Sequence, residues 1–190
     1  MIKDLIKKTR SIRTFKQKHI DYNLLSDAVD CARYSSSTAN IQNIKYLIVN
    51  DEENCQKIFP LIKWAGMIDW NPTILESPSA YIVILRDKTI SIADNNFNIN
   101  LGIALQNINL SLAEKGLGTC TIGAYNKREL EAILNVGTPY ESALIIGMGE
   151  PAEKVELVDC DDINNTKYYR TLEKHYVPKL SLGKIILNFK

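Results

Sequence analysis

The sequence predicts a single α+β domain, and three observations predict it. Stretches with apolar residues at helical spacing are mixed with short β-branched runs, without the strand–helix–strand rhythm of a doubly wound sheet. Apolar residues make up 45% of the 190, enough for a core that buries about 70% of the unfolded surface. No internal repeat and no shift of composition divides residues 1–190.

The elements follow in order. Residues 2–9 read as a short helix with Leu5 and Ile6 inward and Lys7 and Lys8 outward. Asp21 is a good N-cap for a helix running to about Tyr34, with Leu24, Leu25, Ala28, Val29 and Ala32 on one face. Ser35 to Gln42 is a polar loop, Lys45 to Asn50 a strand and residues 52–62 a helix. Trp64 to Pro78 is an irregular segment, interrupted by Gly66, Asn71-Pro72 and Ser77-Pro78. Tyr81 to Arg86 is a buried strand. The long helix from about Asn95 to Lys115 is apolar on several sides, so it must be covered nearly all round; a second subunit can supply part of that cover. Gly116 suits the left-handed position that closes such a helix. Thr119 to Gly123 is a strand, Lys127 to Asn135 a helix, and Ser142 to Met148 another buried strand. Residues 152–190 are polar and read as an extended tail, of a length that wraps a partner or carries site residues.

Several function classes drop out. A net charge of +1 argues against a dedicated nucleic-acid binder, which needs a concentrated basic excess. No apolar run is long enough to span a bilayer. Charge from Lys3 and Asp4 onward leaves no secretory core, so a cytoplasmic protein is expected. The cysteines at 31, 55, 120 and 160 and the histidines at 19 and 175 lack metal-clamp or redox-motif spacing. No metal site is expected, and unpaired thiols suit a reducing compartment. Neither Gly116-Leu117-Gly118 nor Gly147-Met148-Gly149 has the order of a dinucleotide-binding fingerprint. No nucleophile–base pair announces itself. If the chain is an enzyme, a cofactor carries the chemistry.

Three polar clusters remain. In Arg10-Ser11-Ile12-Arg13-Thr14-Phe15, two guanidiniums can grip a phosphate bidentately; on chemistry alone the reading that wins is that Lys7, Lys8 and Arg10 complement the negative end of the first helix, since basic helix ends are common. Six of the eight residues from Ser35 to Gln42 carry hydrogen-bonding side chains. Their amides match the donor/acceptor edge of a flavin pyrimidine or a nucleobase, although such residues are ordinary in loops. His175-Tyr176-Val177-Pro178-Lys179 forms a basic tail that means little alone. Trp64 and Trp70 fit a ligand cover and satellite core packing equally well. Asp159, Asp161 and Asp162 lack the order of a calcium loop and read as a solvated turn.

Taken in this order the clusters resemble the FMN-dependent nitroreductase family, its short clostridial-type members in particular. The carriers are Arg-Ser-x-Arg-x-Phe, then Ser-Ser-x-x-Asn-x-Gln, then the helix closing in Ala113-Glu114-Lys115-Gly116-Leu117-Gly118. The strand Leu144 to Pro151 and the tail Tyr168 to Lys179 complete the match. Three departures stand out. Leu180 stands where many relatives carry a second base, Asn43 replaces a proline, and Asn100 opens the stretch that in relatives often reads Asp-x-Gly-x-Ala.

The resemblance implies a nitroreductase-like α+β fold with a central, mainly antiparallel sheet flanked by helices. It implies a homodimer with FMN at the subunit interface, the 152–190 tail packing on the partner. Arg10 and Lys179 would hold the phosphate, with Ser11 and Arg13 at the ribityl and pyrimidine side. Ser36, Ser37, Asn40 and Gln42 belong to the loop that would reach the flavin from the partner. Thr121, Ile122 and Gly123 form the segment whose backbone, at Gly123, faces flavin N5. No catalytic side chain is implied beyond the flavin itself. The implied reaction is ping-pong: NADH or NADPH gives hydride to N5, and a small oxidised acceptor such as a nitroaromatic or quinone takes it. Arg13 is the candidate for tuning the flavin. At about 4 Å and an effective dielectric of about 20, one charge pair is worth ~4 kcal/mol as an upper figure, or roughly 90 mV for a two-electron couple. The alternatives are a flavin-binding or storage protein with little turnover, and a dimeric interaction domain that has lost FMN.

Overall fold

The computed structural model describes residues 1–64, 66, 68 and 70–187. Its centre is a five-stranded antiparallel sheet built from β1 (Phe15–Lys16), β2 (Ile44–Val49), β3 (Ala80–Asp87), β4 (Gly118–Ile122) and β5 (Tyr140–Pro151). The order β1-β5-β3-β2 places β5 at the middle, with β4 also paired to it. β5 is longer than the predicted strand because three neighbours satisfy its backbone.

The apolar run of β3 is explained by burial on both faces. Tyr81, Val83 and Leu85 join one core cluster, with Ile58, Trp64, Ile122 and Leu130. Ala80, Ile82 and Ile84 point the other way, into a cluster with Leu25, Ala28, Ala104, Ile108 and Leu112. Alternation along the strand thus divides the core between α3 (Glu52–Ile58) and α5 (Lys127–Ile133) on one side, and α2 (Tyr22–Arg33) and α4 (Asp94–Glu114) on the other.

Local chemistry sets the helix ends. The Asp21 carboxylate accepts from the Asn23 amide at 2.7 Å. Gly116 follows α4 at φ 79°, the left-handed residue expected there. The predicted 52–62 helix splits at Pro60: α3 stops at Ile58 and a 3-10 turn covers Phe59–Leu61. In α1 (Ile2–Lys8) Leu5 is half-buried, but Ile6 is exposed rather than inward. On α4, Ile99 and Ile103 also stay exposed. The Trp64–Pro78 segment is irregular with one 3-10 turn at Ile74–Glu76; Ala65, Met67 and Asp69 lie outside the described residues.

The extended tail has a sheet of its own. β6 (Val155–Cys160), β7 (Tyr169–Arg170) and β8 (His175–Leu180) pair in the order β6-β8-β7, with β6 and β8 parallel. A short helix α6 (Leu182–Ile185) follows. Among the described residues no helix is long and apolar enough to cross a membrane.

The segment between α1 and β1 lies flat on the central sheet. Ile12 donates its amide to the Thr119 carbonyl at 2.9 Å, and Phe15 and Ile12 are buried. Two glycines make room. A Cβ on Gly118 would come within 2.6 Å of Ile12 Cγ1, and one on Gly149 within 2.9 Å of Phe15 Cβ. Gly149→Ala should therefore cost about 1–3 kcal/mol through overpacking. Gly137→Ala, with open space around it, should stay within about 0.5 kcal/mol of the parent. Urea denaturation measures both.

Candidate functional site

Docking Ile12 and Phe15 leaves Arg10, Ser11 and Arg13 turned to a cleft of about 490 Å³. α4 supplies Gln106 and Asn109 to this cleft, and β4 supplies Thr119 and Thr121. β8 contributes His175, Val177 and Lys179, alternate residues on one face of a strand. Arg10, Arg13, Thr121 and Lys179, separated widely in sequence, are thus brought together.

The cleft is electrostatically incomplete. Among the described residues no carboxylate pairs with the side chains of Arg10, Arg13 or Lys179. Among the described residues Arg10 Nε and Arg13 Nη1 are buried without a hydrogen-bond partner, as are Asn109 Oδ1 and His175 Nδ1. Burial holds the Arg10 guanidinium below its ordinary pKa. Unmet buried donors of this kind are expensive, and a bound anion is the natural complement for guanidiniums. His175, 2% exposed, is lowered to about 4 by burial first, and then by the charges of Arg170 and Arg13. It is neutral at neutral pH. Its ring lies 5.3 Å from that of Tyr168, and the Arg13 guanidinium lies 5.1 Å from the Tyr168 ring. Behind the cleft, burial raises the Cys120 thiol to about 11, which keeps it protonated.

One carboxylate fixes the backbone that bears Arg13. Glu153 accepts from the Arg13 amide and, at 3.2 Å, from the Thr14 amide, while its other oxygen accepts from Arg170. Its side chain is 8% exposed. The Arg170 guanidinium in turn lies 3.7 Å over the Trp70 ring. Trp70 and Trp64 both pack on the core, so packing accounts for these two tryptophans.

The other implied residues lie elsewhere. Ser36, Ser37 and Gln42 line a separate cleft of about 280 Å³ between α2, α4 and β2. Asn40 sits exposed in the 3-10 turn Thr38–Asn40 at φ 53° and lines neither cleft. Ile122 is buried in the core, so only its backbone is available to a ligand. Gly123 lines a further depression with Tyr125, Lys127 and Glu141.

The family model described as the nitroreductase family matches residues 6–68 and 67–150, most of the chain. The chain belongs to the nitroreductase family. Membership of this family makes the chain an oxidoreductase. It is 25% identical to the iodotyrosine deiodinase of Thermotoga neapolitana over 169 residues, covering 80% of this chain and 89% of that one. Its fold matches the FMN-dependent nitroreductase of Clostridium difficile R20291 at a TM-score of 0.67 and 24% identity, over 81% of this chain and 89% of the other. A protein of Exiguobacterium sibiricum solved in complex with FMN matches at 0.68 and 17% identity, over 80% and 89%.

Sequence reasoning missed Glu153, Arg170, Gln106 and Asn109, and gave His175 no role. The spacing His175-x-Val177-x-Lys179 was the available signal, once the tail is read as a strand. Two predictions follow from the geometry of this nitroreductase. Glu153→Ala strands Arg170 and two backbone amides, and should cost about 3 kcal/mol in urea denaturation. The exposed pair Lys57–Glu53 should cost less than about 1 kcal/mol when broken. The second prediction concerns pH. The unfolded chain takes up a proton on His175 near pH 6.5 and the folded chain only near 4, so this contribution to stability falls as pH drops through that window. Between pH 7 and 5 the parent should lose about 2 kcal/mol more stability than His175→Gln.

Proposed function

We propose that the protein is an FMN-dependent NAD(P)H oxidoreductase that reduces a small oxidised acceptor, such as a nitroaromatic or a quinone, by a ping-pong mechanism. The observation that carries this reading is the cleft in which Arg10, Arg13 and Lys179 converge without a carboxylate, two of them with orphaned nitrogens. That donor set fits an anionic phosphate and a negatively charged reduced ring. When bound, FMN supplies a two-electron carrier between the nicotinamide donor and the acceptor.

The chain's own residues then have distinct tasks. Arg10 and Lys179 would hold the phosphate, Lys179 as a point charge and Arg10 through directed N–H donors. Arg13, its backbone amide held by Glu153, would stabilise negative charge on the reduced flavin. Ser11 and Thr121 line the same cleft as hydroxyl donors. Gly123, just beyond β4 and outside the Arg10 cleft, would offer the flavin its backbone only. Neutral His175 and Tyr168 wall the cleft beside Arg13.

The Ser36, Ser37, Asn40 and Gln42 loop serves the site of a second copy in a homodimer. Exposed Ile99 and Ile103 on α4 support that arrangement, as do exposed Leu182, Ile185, Ile186 and Leu187 at the end of the tail. Such residues are the kind a subunit interface covers.

The decisive experiment is an absorption spectrum after reconstitution with FMN and desalting, followed by anaerobic titration with NADPH and NADH. Retained flavin bands that bleach rapidly are expected. Retained bands that do not bleach would turn the reading to a binding protein, and loss of flavin would leave an interaction domain. Arg10→Ala should weaken FMN binding about 10- to 100-fold, since charge-assisted bonds are worth ~1.5–3 kcal/mol. Arg13→Ala should act mainly on the midpoint potential, lowering it by some tens of mV, on the order of one screened charge pair.

A further inference from the structure

Arg13 stands where the segment from α1 to β1 crosses from one strand to another. On one side of it, Ile12 donates its amide to the Thr119 carbonyl of β4 at 2.9 Å. On the other, Ala152 donates its amide to the Thr14 carbonyl at 2.9 Å, and Phe15 pairs with Pro151 at the end of β5. Backbone bonds thus hold both neighbours of Arg13. The crossing itself is held by a side chain. One Glu153 oxygen accepts from the Arg13 amide and, at 3.2 Å, from the Thr14 amide. Two backbone donors on one charged acceptor make a stronger tie than a bond between neutral groups.

Glu153 is itself fixed. Its second oxygen accepts from Arg170. The Arg170 guanidinium lies 3.7 Å over the Trp70 ring, and Trp70 packs on the core. Tyr168, two residues before Arg170, has its ring 5.1 Å from the Arg13 guanidinium, within the range of a cation–π contact. The stretch from Tyr168 to Arg170 therefore bears on Arg13 at both ends. Tyr168 meets the guanidinium, and Arg170 holds the carboxylate that holds the backbone.

This arrangement has a consequence for charge. A guanidinium acts on a nearby negative ring with a strength that falls with separation, so its effect depends on where its backbone stands. Glu153 carries the opposite charge, and its two influences on a reduced flavin differ in sign. Its own charge disfavours a negative ring, whereas its hold on Arg13 favours one. Substitution separates the two. Gln at position 153 keeps an acceptor oxygen and loses the charge. Asp keeps the charge and shortens the reach by one methylene.

We propose that Glu153, backed by Arg170, is a positioning residue for the flavin reaction: it sets where Arg13 stands, and thereby how strongly the site prefers reduced over oxidised FMN. The proposal rests on the flavin reading and deepens it. Glu153 is 8% exposed and is not among the residues that line the Arg10 cleft, so it acts through Arg13 and not by touching the ring.

The test uses the full chain loaded with FMN, its midpoint potential measured anaerobically against a reference dye. Glu153→Asp should shift the affinity ratio about tenfold against reduced flavin, a fall of about 30 mV for a two-electron couple. Glu153→Gln should stay at or above the parent. In an Arg13→Ala background Glu153→Asp should give no further fall, because the two residues act as one unit. Without FMN, hydrogen exchange at the Arg13 and Thr14 amides should quicken at least about tenfold in Glu153→Asp and less in Glu153→Gln. Arg170→Lys keeps the charge but loses the planar fork, so it carries the test, with a fall of the same sign, if Glu153→Asp fails to fold. A potential raised by Gln and unmoved by Asp would mark a charge effect alone and overturn the proposal. Lower stability with no change of potential in either variant would mark a purely structural role and also overturn it. An equal fall in the Arg13→Ala background, a fall in Gln as large as in Asp, or unaltered amide exchange does the same. If Arg13→Ala lowers the potential and Glu153→Asp does not, this proposal falls and the flavin reading stands. A parent that retains no FMN overturns the flavin reading, and this proposal with it.

Discussion

The close approach of the Thr9–Lys16 segment to the central sheet is the constraint on which the rest depends. Ile12 and Phe15 sit where Gly118 and Gly149 have no side chains. Their burial inward forces their neighbours Ser11 and Arg13 outward, and so aims a guanidinium into the cleft. The two glycine pairs therefore have a mechanical meaning. Neither cradles a phosphate directly; each strand glycine instead seats the segment whose arginines face one. Gly116 has a different task, reversing the chain after α4 so that β4 can begin at Gly118.

Seating the segment is half of the arrangement, and its polar half is Glu153. This carboxylate sits just beyond β5 and binds the backbone of Arg13 and Thr14 rather than either side chain. Its charge is matched by Arg170. That assignment matters, because it leaves the Arg13 side chain unneutralised. Had Glu153 paired with the Arg13 guanidinium, the cleft would hold one positive charge fewer for a ligand. The fold satisfies its own backbone with one ion pair and leaves the side chains of Arg13 and Lys179 without a carboxylate among the described residues. Buried guanidinium nitrogens without partners are costly, so an anion in this cleft has Arg10 Nε and Arg13 Nη1 to satisfy.

Local features were legible in the sequence and non-local ones were not. Asp21, Gly116 and the apolar face of α2 are written within a few residues of the structure they determine. The pattern of β3 is equally plain because both of its faces are buried. β1 is two residues long, too short for any period to show. β6 and β8 are half-exposed and pair in parallel across the intervening β7, so their polar alternation reads as an unpaired tail. Of the site, the resemblance supplied Arg10, Arg13, Thr121 and Lys179 as a set, and the fold brings them to one cleft. Glu153 could not be found that way: its role rests on a contact 140 residues away in sequence. Asn43 and Asn100 were visible as departures, but nothing in their order says that they share a cavity.

The geometry of α4 carries the argument one step further. With 3.6 residues per turn, Asn100 and Ala104 fall on one face of the helix, and Leu105, Gln106 and Asn109 on the opposite face. The first face borders the cavity of Ser36, Ser37 and Gln42, and the second borders the cleft of Arg10 and Lys179. The helix thus stands between the two groups of residues that the resemblance assigns to one flavin. Within one chain they cannot enclose the same molecule without displacing α4 from the core, where Ile108 and Leu112 anchor it. In the homodimer proposed above, each copy's loop would meet the other copy's cleft, and the two groups would be joined without moving the helix. The exposed isoleucines at 99 and 103 lie on that same helix, so its unfilled apolar surface and the division of the site have one common explanation.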